Sequence, residues 1–329
     1  MNTASTPDRS DLRSWLPGYL LLALIWGSSF LFIKVGVREL HPLHVTLYRV
    51  VAGVLMVGAL VLVTRTRLPR EPRVWGHLFV VGVVGVVIPF TLFGYGEQRV
   101  SSVLAGIWNA TTPLVALPVA TLVFRTERMT PRRATGILIG FTGVLVVLGV
   151  WHGLGGVQLT GQLMCMAAAG CYGIAIPYQR RYLGGLAGSG LAVPAGQLIT
   201  SAVVLLVLAP LVAGAPPAPT GLSGDVIASV LALGALGTGL AFVLNFRVIR
   251  LAGATTSASV TYLMPIVATL IGLLALGEHI RWYQPVGALI VLAGVAVSQG
   301  MLRLPTVGPR PPELPPGLEP VAAPASSAG

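Results

Sequence analysis

The sequence predicts an all-α membrane protein: ten transmembrane helices arranged as two inverted five-helix repeats, with the N and C termini both cytoplasmic. Three observations carry that prediction. Of 329 residues, 54% are hydrophobic and only 9% are charged, whereas a soluble domain carries about a quarter charged residues. Most of the basic residues fall in every second connection between apolar runs. The chain also resembles itself at a shift of about half its length.

The apolar runs come first. A spanning helix needs ~20 mostly apolar residues. Such runs lie near 17–37, 43–63, 75–95, 101–123, 133–150, 160–179, 191–213, 226–247, 255–276 and 283–301. Residues 1–16 are polar, with Asp8, Arg9, Asp11 and Arg13, and read as a cytoplasmic tail. No short apolar stretch with a small-residue cleavage site precedes the first run, which is expected to stay in the mature protein. Residues 17–150 form the first repeat and 151–301 the second. Residues 302–329 contain Pro305, Pro309, Pro311, Pro312, Pro315 and Pro316 and read as a disordered, proline-rich cytoplasmic tail.

Orientation follows from charge. With a cytoplasmic N-terminus, the internal connections hold Arg65, Arg67, Arg70, Arg73, Arg125, Arg128, Arg132, Arg133, Arg180, Arg181, Arg247 and Arg250, against Glu71 and Glu127. The external ones hold Arg38, Arg99 and Arg281 against Glu39, Glu97, Asp225 and Glu278. This separation is what positive-inside sorting produces, and a miscount by one span would scramble it. The same distribution argues against nucleic acid despite the net charge of +11: the cations sit in small clusters, not on one basic face.

Gly136, Leu138, Ile139, Gly143, Val144 and Val146 recur as Gly287, Leu289, Ile290, Gly294, Val295 and Val297, and Glu127 recurs as Glu278. Pro113 recurs as Pro265, Gly27 as Gly173 and Lys34 as Arg180, with small slippage. Five helices is an odd number, so the second copy starts from the opposite side of the membrane. Inverted repeats of this kind recur in alternating-access transporters.

Several stretches are similar to one family. WGSSFLFIK (Trp26 to Lys34), followed by Pro42 and Arg49, resembles the first two helices of EamA-type proteins of the drug/metabolite transporter superfamily. The blocks TTPLVALPVATLVFRTE (Thr111 to Glu127) and YLMPIVATLIGLLALGE (Tyr262 to Glu278) resemble that family's fourth- and ninth-helix signature. The resemblance covers about 17–301 and implies a ten-helix inner-membrane carrier, commonly an exporter of metabolites. The second half departs from the first in having Gln197 near the place of Arg49, and CYG (Cys171 to Gly173) where the first has IWG. A chemically asymmetric pore is expected.

Charges inside lipid cost about 2.5–3.5 kcal/mol each on the insertion scale, so Lys34 and Arg49 are candidates for a positive vestibule that attracts anionic or zwitterionic solutes. The alternatives are a snorkelling Lys34 and an Arg49 bonded to helix-end carbonyls. The acids Glu97, Glu127, Asp225 and Glu278 fall at span ends, so proton coupling through a central carboxylate is not expected and a lipophilic cation is disfavoured. Trp26, Tyr95, Trp108, Asn109, Tyr172, Gln179, Gln197, Asn245 and Tyr262 lie within spans and need polar partners in the bundle or in a wet cavity. Pro113 and Pro265 are expected to kink their helices beside them. Gly136, Gly140 and Gly143, with Gly287 and Gly294, serve either internal packing or a homodimer interface. Cys165 and Cys171, six positions apart in one run, read as small packing residues.

Other classes fare worse. No GxxxxGK[ST], HExxH or GxSxG occurs, and His41, His44, His77, His152 and His279 fall near span ends. An intramembrane enzyme or a non-transporting scaffold is disfavoured. No cofactor or metal is implied. The partners expected are a small-molecule solute and the bilayer. Within transporters, a metabolite or nucleotide-sugar-type exchanger is the alternative to an exporter.

Overall fold

A computed structural model describes residues 9–152 and 156–302. The proline-rich tail from 303 onward and residues 1–8 lie outside the described residues. Among the described residues the longer helical segments are α1 (Arg9–Gly36), α2 (Pro42–Val63), α3 (Pro72–Glu97), α4 (Ser102–Val123), α5 (Pro131–Leu148), α6 (Gly156–Leu183), α7 (Ala192–Ala213), α8 (Gly224–Gly253), α9 (Val260–Leu276) and α10 (Tyr283–Gln299). Eight of these are at least 18 residues long and apolar enough to cross a membrane; α9 and α10 are shorter apolar helices. α1 begins at Arg9, so the polar stretch 9–16, read from sequence as tail, is helical, and Pro17 lies inside the same helix.

Local chemistry sets the boundaries. Prolines 42, 72 and 131 open α2, α3 and α5 in the first turn, where the missing N–H is no loss. Ser101 and Thr130 cap α4 and α5, their hydroxyls accepting from Leu104 N (3.1 Å) and Arg133 N (3.3 Å). Gly149 (φ 64°) and Gly300 (φ 80°) end α5 and α10 in the left-handed conformation.

Three helices depart from regular α geometry. α3 contains a π turn at Val83–Val87 and α8 one at Ala235–Leu240. α4 is interrupted at Ala110 and Thr111, just ahead of Pro113, and ends in a π turn at Val119–Val123. Pro265, by contrast, lies inside an uninterrupted α9; the break on that side falls earlier, at Gly253 and Ser259.

α1 packs on α8 and α9, and α6 packs on α3 and α4; α2 pairs with α7, and α5 with α10. Exchanging the two halves leaves this set of pairs unchanged. The α5–α10 contact is the tightest. A Cβ on Gly143 would lie 2.6 Å from Val291 N, and one on Gly287 2.7 Å from Val147 N. Gly136 and Gly294 face each other's backbones in the same way. These glycines therefore serve packing between two helices of one chain. The fifth, Gly140, also meets the Leu114 side chain.

Leu22, Leu104, Trp108, Val291 and Val295 are fully buried in the largest core cluster. Val50 and Val57 of α2 meet Leu198 and Leu205 of α7 in a second. Leu55, Leu62, Leu122, Leu211 and Leu274 are among the many exposed large apolar side chains. A solvent of acyl chains accepts such a surface; water does not. Cys165 is buried, and neither cysteine is bonded to another.

Candidate functional site

A cavity of ≈ 330 Å³ lies between the two halves. Its wall takes Trp26, Ser29, Phe30 and Ile33 from α1, Arg49 from α2, Gly85, Phe90 and Phe93 from α3, and Asn109 and Thr112 from α4. The second half supplies Tyr172, Ile176 and Gln179 from α6, Pro194 and Gln197 from α7, Gly237, Thr238, Phe242 and Asn245 from α8, and Thr261 and Met264 from α9. Helices α5 and α10 contribute none of these residues.

Among the described residues, Arg49 is the one charged residue on this wall. Its side chain is held from two directions. Nε donates to Thr238 Oγ1 at 3.2 Å, and the guanidinium carbon lies 3.7 Å from the Phe90 ring centroid. The contact over an aromatic face offsets part of the cost of taking the cation out of water. A guanidinium has five N–H donors, so the side chain keeps donors for an acceptor in the cavity.

The π turns of α3 and α8 sit on the wall. A π turn carries an extra residue, which widens the helix and disturbs the backbone ladder. Trp26 Nε1 donates to Gly237 O at 3.2 Å within the turn of α8. On the opposite wall, Gln197 Nε2 donates to Val81 O at 3.4 Å, and Ser201 Oγ to Gly82 O at 3.1 Å, just before the turn of α3. Phe93 packs edge-on against Phe30 (5.5 Å between centroids) and stacks on Tyr172 (6.2 Å). Asn245 Oδ1 accepts from Ser257 Oγ at 2.5 Å, and Asn109 Nδ2 lies 3.9 Å from Met264 Sδ.

Of the residues singled out in the sequence, the cavity gathers Trp26, Arg49, Asn109, Tyr172, Gln179, Gln197 and Asn245. Lys34, Tyr95, Trp108 and Tyr262 lie off its wall. Lys34 Nζ donates to the main-chain oxygens of Glu97 and Val100, the latter at 2.7 Å. Tyr95 OH bonds His41 Nε2 at 3.1 Å. Trp108 is fully buried in the core; its indole N–H and the buried Tyr262 hydroxyl have no hydrogen-bond partner among the described residues. Ser29, Phe90, Phe93, Thr238 and Met264 are wall residues that the sequence reading missed. Thr238, polar within an apolar run and flanked by Gly237 and Gly239, was the available signal.

The two ends of the cavity differ. At one, the wall stops at Ile33 and Phe93, beneath the 98–101 connection. Here Glu278 accepts from Ser102 N (2.8 Å), Ser102 Oγ (2.9 Å) and Val103 N (3.1 Å), capping α4 across the bundle. Glu39 accepts from Ser223 N at 2.9 Å on the same side. At the other end, the wall runs out to Gln179, Pro194 and Thr261, close to the helix termini. Glu127, at the repeat position of Glu278, caps no helix there; it pairs with Arg133 (2.8 Å) and Arg180 (3.4 Å).

Residues 13–149 and 159–299 each match the EamA-like transporter family. The chain belongs to that family. It is a multi-pass membrane protein of a transporter family and not of an enzyme family.

Relatives of this EamA-like transporter extend over most of their own length. An uncharacterized transporter of Archaeoglobus fulgidus is 25% identical over 285 residues, 85% of this chain and 96% of the relative. The uncharacterized inner membrane transporter YedA of Escherichia coli K12 is 28% identical over 296 residues, 86% and 90% of the two chains. A crystal structure with 22% sequence identity superposes with a TM-score of 0.61, covering 89% of this chain and 98% of its own. At that identity the likeness speaks for the fold alone. Within that fold, the cavity lies between the two family-matching stretches, with wall residues drawn from both.

Proposed function

We propose that this EamA-like transporter is a ten-span secondary carrier of the cytoplasmic membrane. It moves small neutral, zwitterionic or anionic metabolites by alternating access between two inverted five-helix repeats, and its direction is export. The observation that carries the solute class is Arg49. A cation that is alone on the cavity wall among the described residues, with no carboxylate among them facing it there, favours a solute that brings an acceptor or negative charge of its own.

The exchange-symmetric helix pairing supports motion of one half against the other. The cavity wall reaches the helix termini on the side of Arg125, Arg128, Arg180 and Arg181, which the positive-inside rule assigns to the cytoplasm. A solute loaded from there is one to be exported. Both termini lie on that side under the same assignment.

Uptake and counterflow in proteoliposomes, with labelled amino acids, nucleosides and organic anions, test this reading. Saturable flux that is lost in Arg49→Ala is the expected result. Flux confined to lipophilic cations overturns it.

A further inference from the structure

Glu97 is the last residue of α3 and has no exposed surface. Neither oxygen of its carboxyl group has a hydrogen-bond partner among the described residues. The sequence places this residue among exposed charges of an outer connection; the fold instead closes over it. Gly96, beside it, packs so tightly on α6 that a Cβ there would lie 3.1 Å from Gly161 O.

The groups around Glu97 are already committed. From α1 comes Lys34, whose ammonium bonds the main-chain oxygens of Glu97 and Val100 and not the carboxylate. From the end of α9 comes Glu278, whose two oxygens are taken by Ser102 and Val103. Arg49 of α2 acts from farther off, and the Cys165 thiol of α6 lies against Gly96, the neighbour of Glu97. Lys34 and Glu278 balance each other. An ionised Glu97 would be cut off from water and without a donor, offset only by the more distant Arg49; the neutral acid avoids that cost.

We propose that Glu97 is a proton-binding site, filled from water on its own side of the membrane and sealed with its proton when the 98–101 end of the bundle closes. Opening that end admits water. The carboxyl O–H bond then breaks, the proton passes to water, and the carboxylate is left hydrated beside Lys34. Closing reverses each step. Alkaline pH on this face therefore favours the open end, and acid favours the closed one. The site is at the rim and not in the cavity, whose wall carries no carboxylate among the described residues. The motion invoked is the alternating access proposed above; proton binding itself is tested without any solute.

Two measurements on the full-length protein in proteoliposomes test the proposal. Infrared difference spectra, taken between about pH 5 and about pH 9, read the C=O stretch of protonated carboxyl groups. A band that persists at neutral pH and disappears in Glu97→Gln is expected. No such band, or one that Glu97→Gln leaves in place, overturns the assignment. The second measurement labels a single cysteine, Val103→Cys in a Cys165→Ala/Cys171→Ala background, with an impermeant methanethiosulfonate added from this face. Labelling is normalised to a freely exposed cysteine to remove the thiol's own pH dependence. The normalised rate should rise with pH, by up to about tenfold per unit, and become low and flat in Glu97→Gln, which mimics the protonated acid. A flat profile with Glu97 intact overturns the link to closure, and failure of solute flux alone leaves both readouts standing.

Discussion

Arg49 on α2 and Gln197 on α7 each reach across to the π-turn region of the other half. Arg49 Nε donates to Thr238 Oγ1 inside the turn of α8, and Gln197 Nε2 donates to Val81 O at the edge of the turn of α3. The two cross-half contacts differ in acceptor, a hydroxyl in one and a main-chain oxygen in the other, and in donor, a permanent cation in one and a neutral amide in the other. Arg49→Gln places the amide on both sides. It should cost an anionic solute about 2–5 kcal/mol of binding, at least about thirtyfold, because the desolvated charge partner is gone. Counterflow with labelled anions checks this, and unchanged anion affinity would remove Arg49 from the solute path.

Trp26→Phe removes the indole N–H that bonds Gly237 O. A buried carbonyl left unpaired costs about 1–3 kcal/mol. Thermal unfolding in detergent should show the loss. Trp15→Phe, at the start of α1, is the control and should leave the unfolding temperature near its original value.

Glu278 and Glu127 occupy matching repeat positions but do unequal work. Glu278→Ala deletes a helix cap and should destabilise the closed end by about 1–2 kcal/mol, a shift of roughly fivefold to thirtyfold. Faster labelling of a cysteine at position 103 reports it. Glu127 forms partly exposed ion pairs, so Glu127→Gln should change stability by about 1 kcal/mol or less. Equal labelling rates in the two variants would argue against a special role for the cap.

Gly294→Ala pushes a methyl group into the backbone of α5. Overpacking of this kind costs about 1–3 kcal/mol, and the unfolding temperature should fall accordingly. Gly58→Ala has nothing within 4 Å of the new Cβ and should sit within ~0.5 kcal/mol of the parent. If the two variants unfold alike, the α5–α10 seam is looser than described.

Much of this arrangement was legible in the residues. Apolar length located the helices, and the matched glycines at 136, 143, 287 and 294 marked the seam, although spacing alone left open whether they face one another or a second copy. Arg49 and Gln197 stood out as polar residues in runs with few others. The π turns left no comparable trace, since Val-Val-Gly-Val-Val suits an ordinary buried helix equally well. Glu97 was hidden for another reason: its burial depends on how α1, α6 and the end of α9 close over one helix terminus. Lys34 shared that difficulty, because its hydrogen-bond acceptors are main-chain oxygens that any residue type supplies.

The wide turns at Val83–Val87 and Ala235–Leu240 also alter the angular phase of their helices. One surplus residue advances everything beyond it by about 100° against an unbroken α-helix. A wheel drawn through α3 therefore holds only as far as the turn, and Phe90 and Phe93 point where an uncorrected wheel would not put them. Deleting a single valine there would shorten the helix very little. It would rotate both rings, and Glu97 with them, off their bearings.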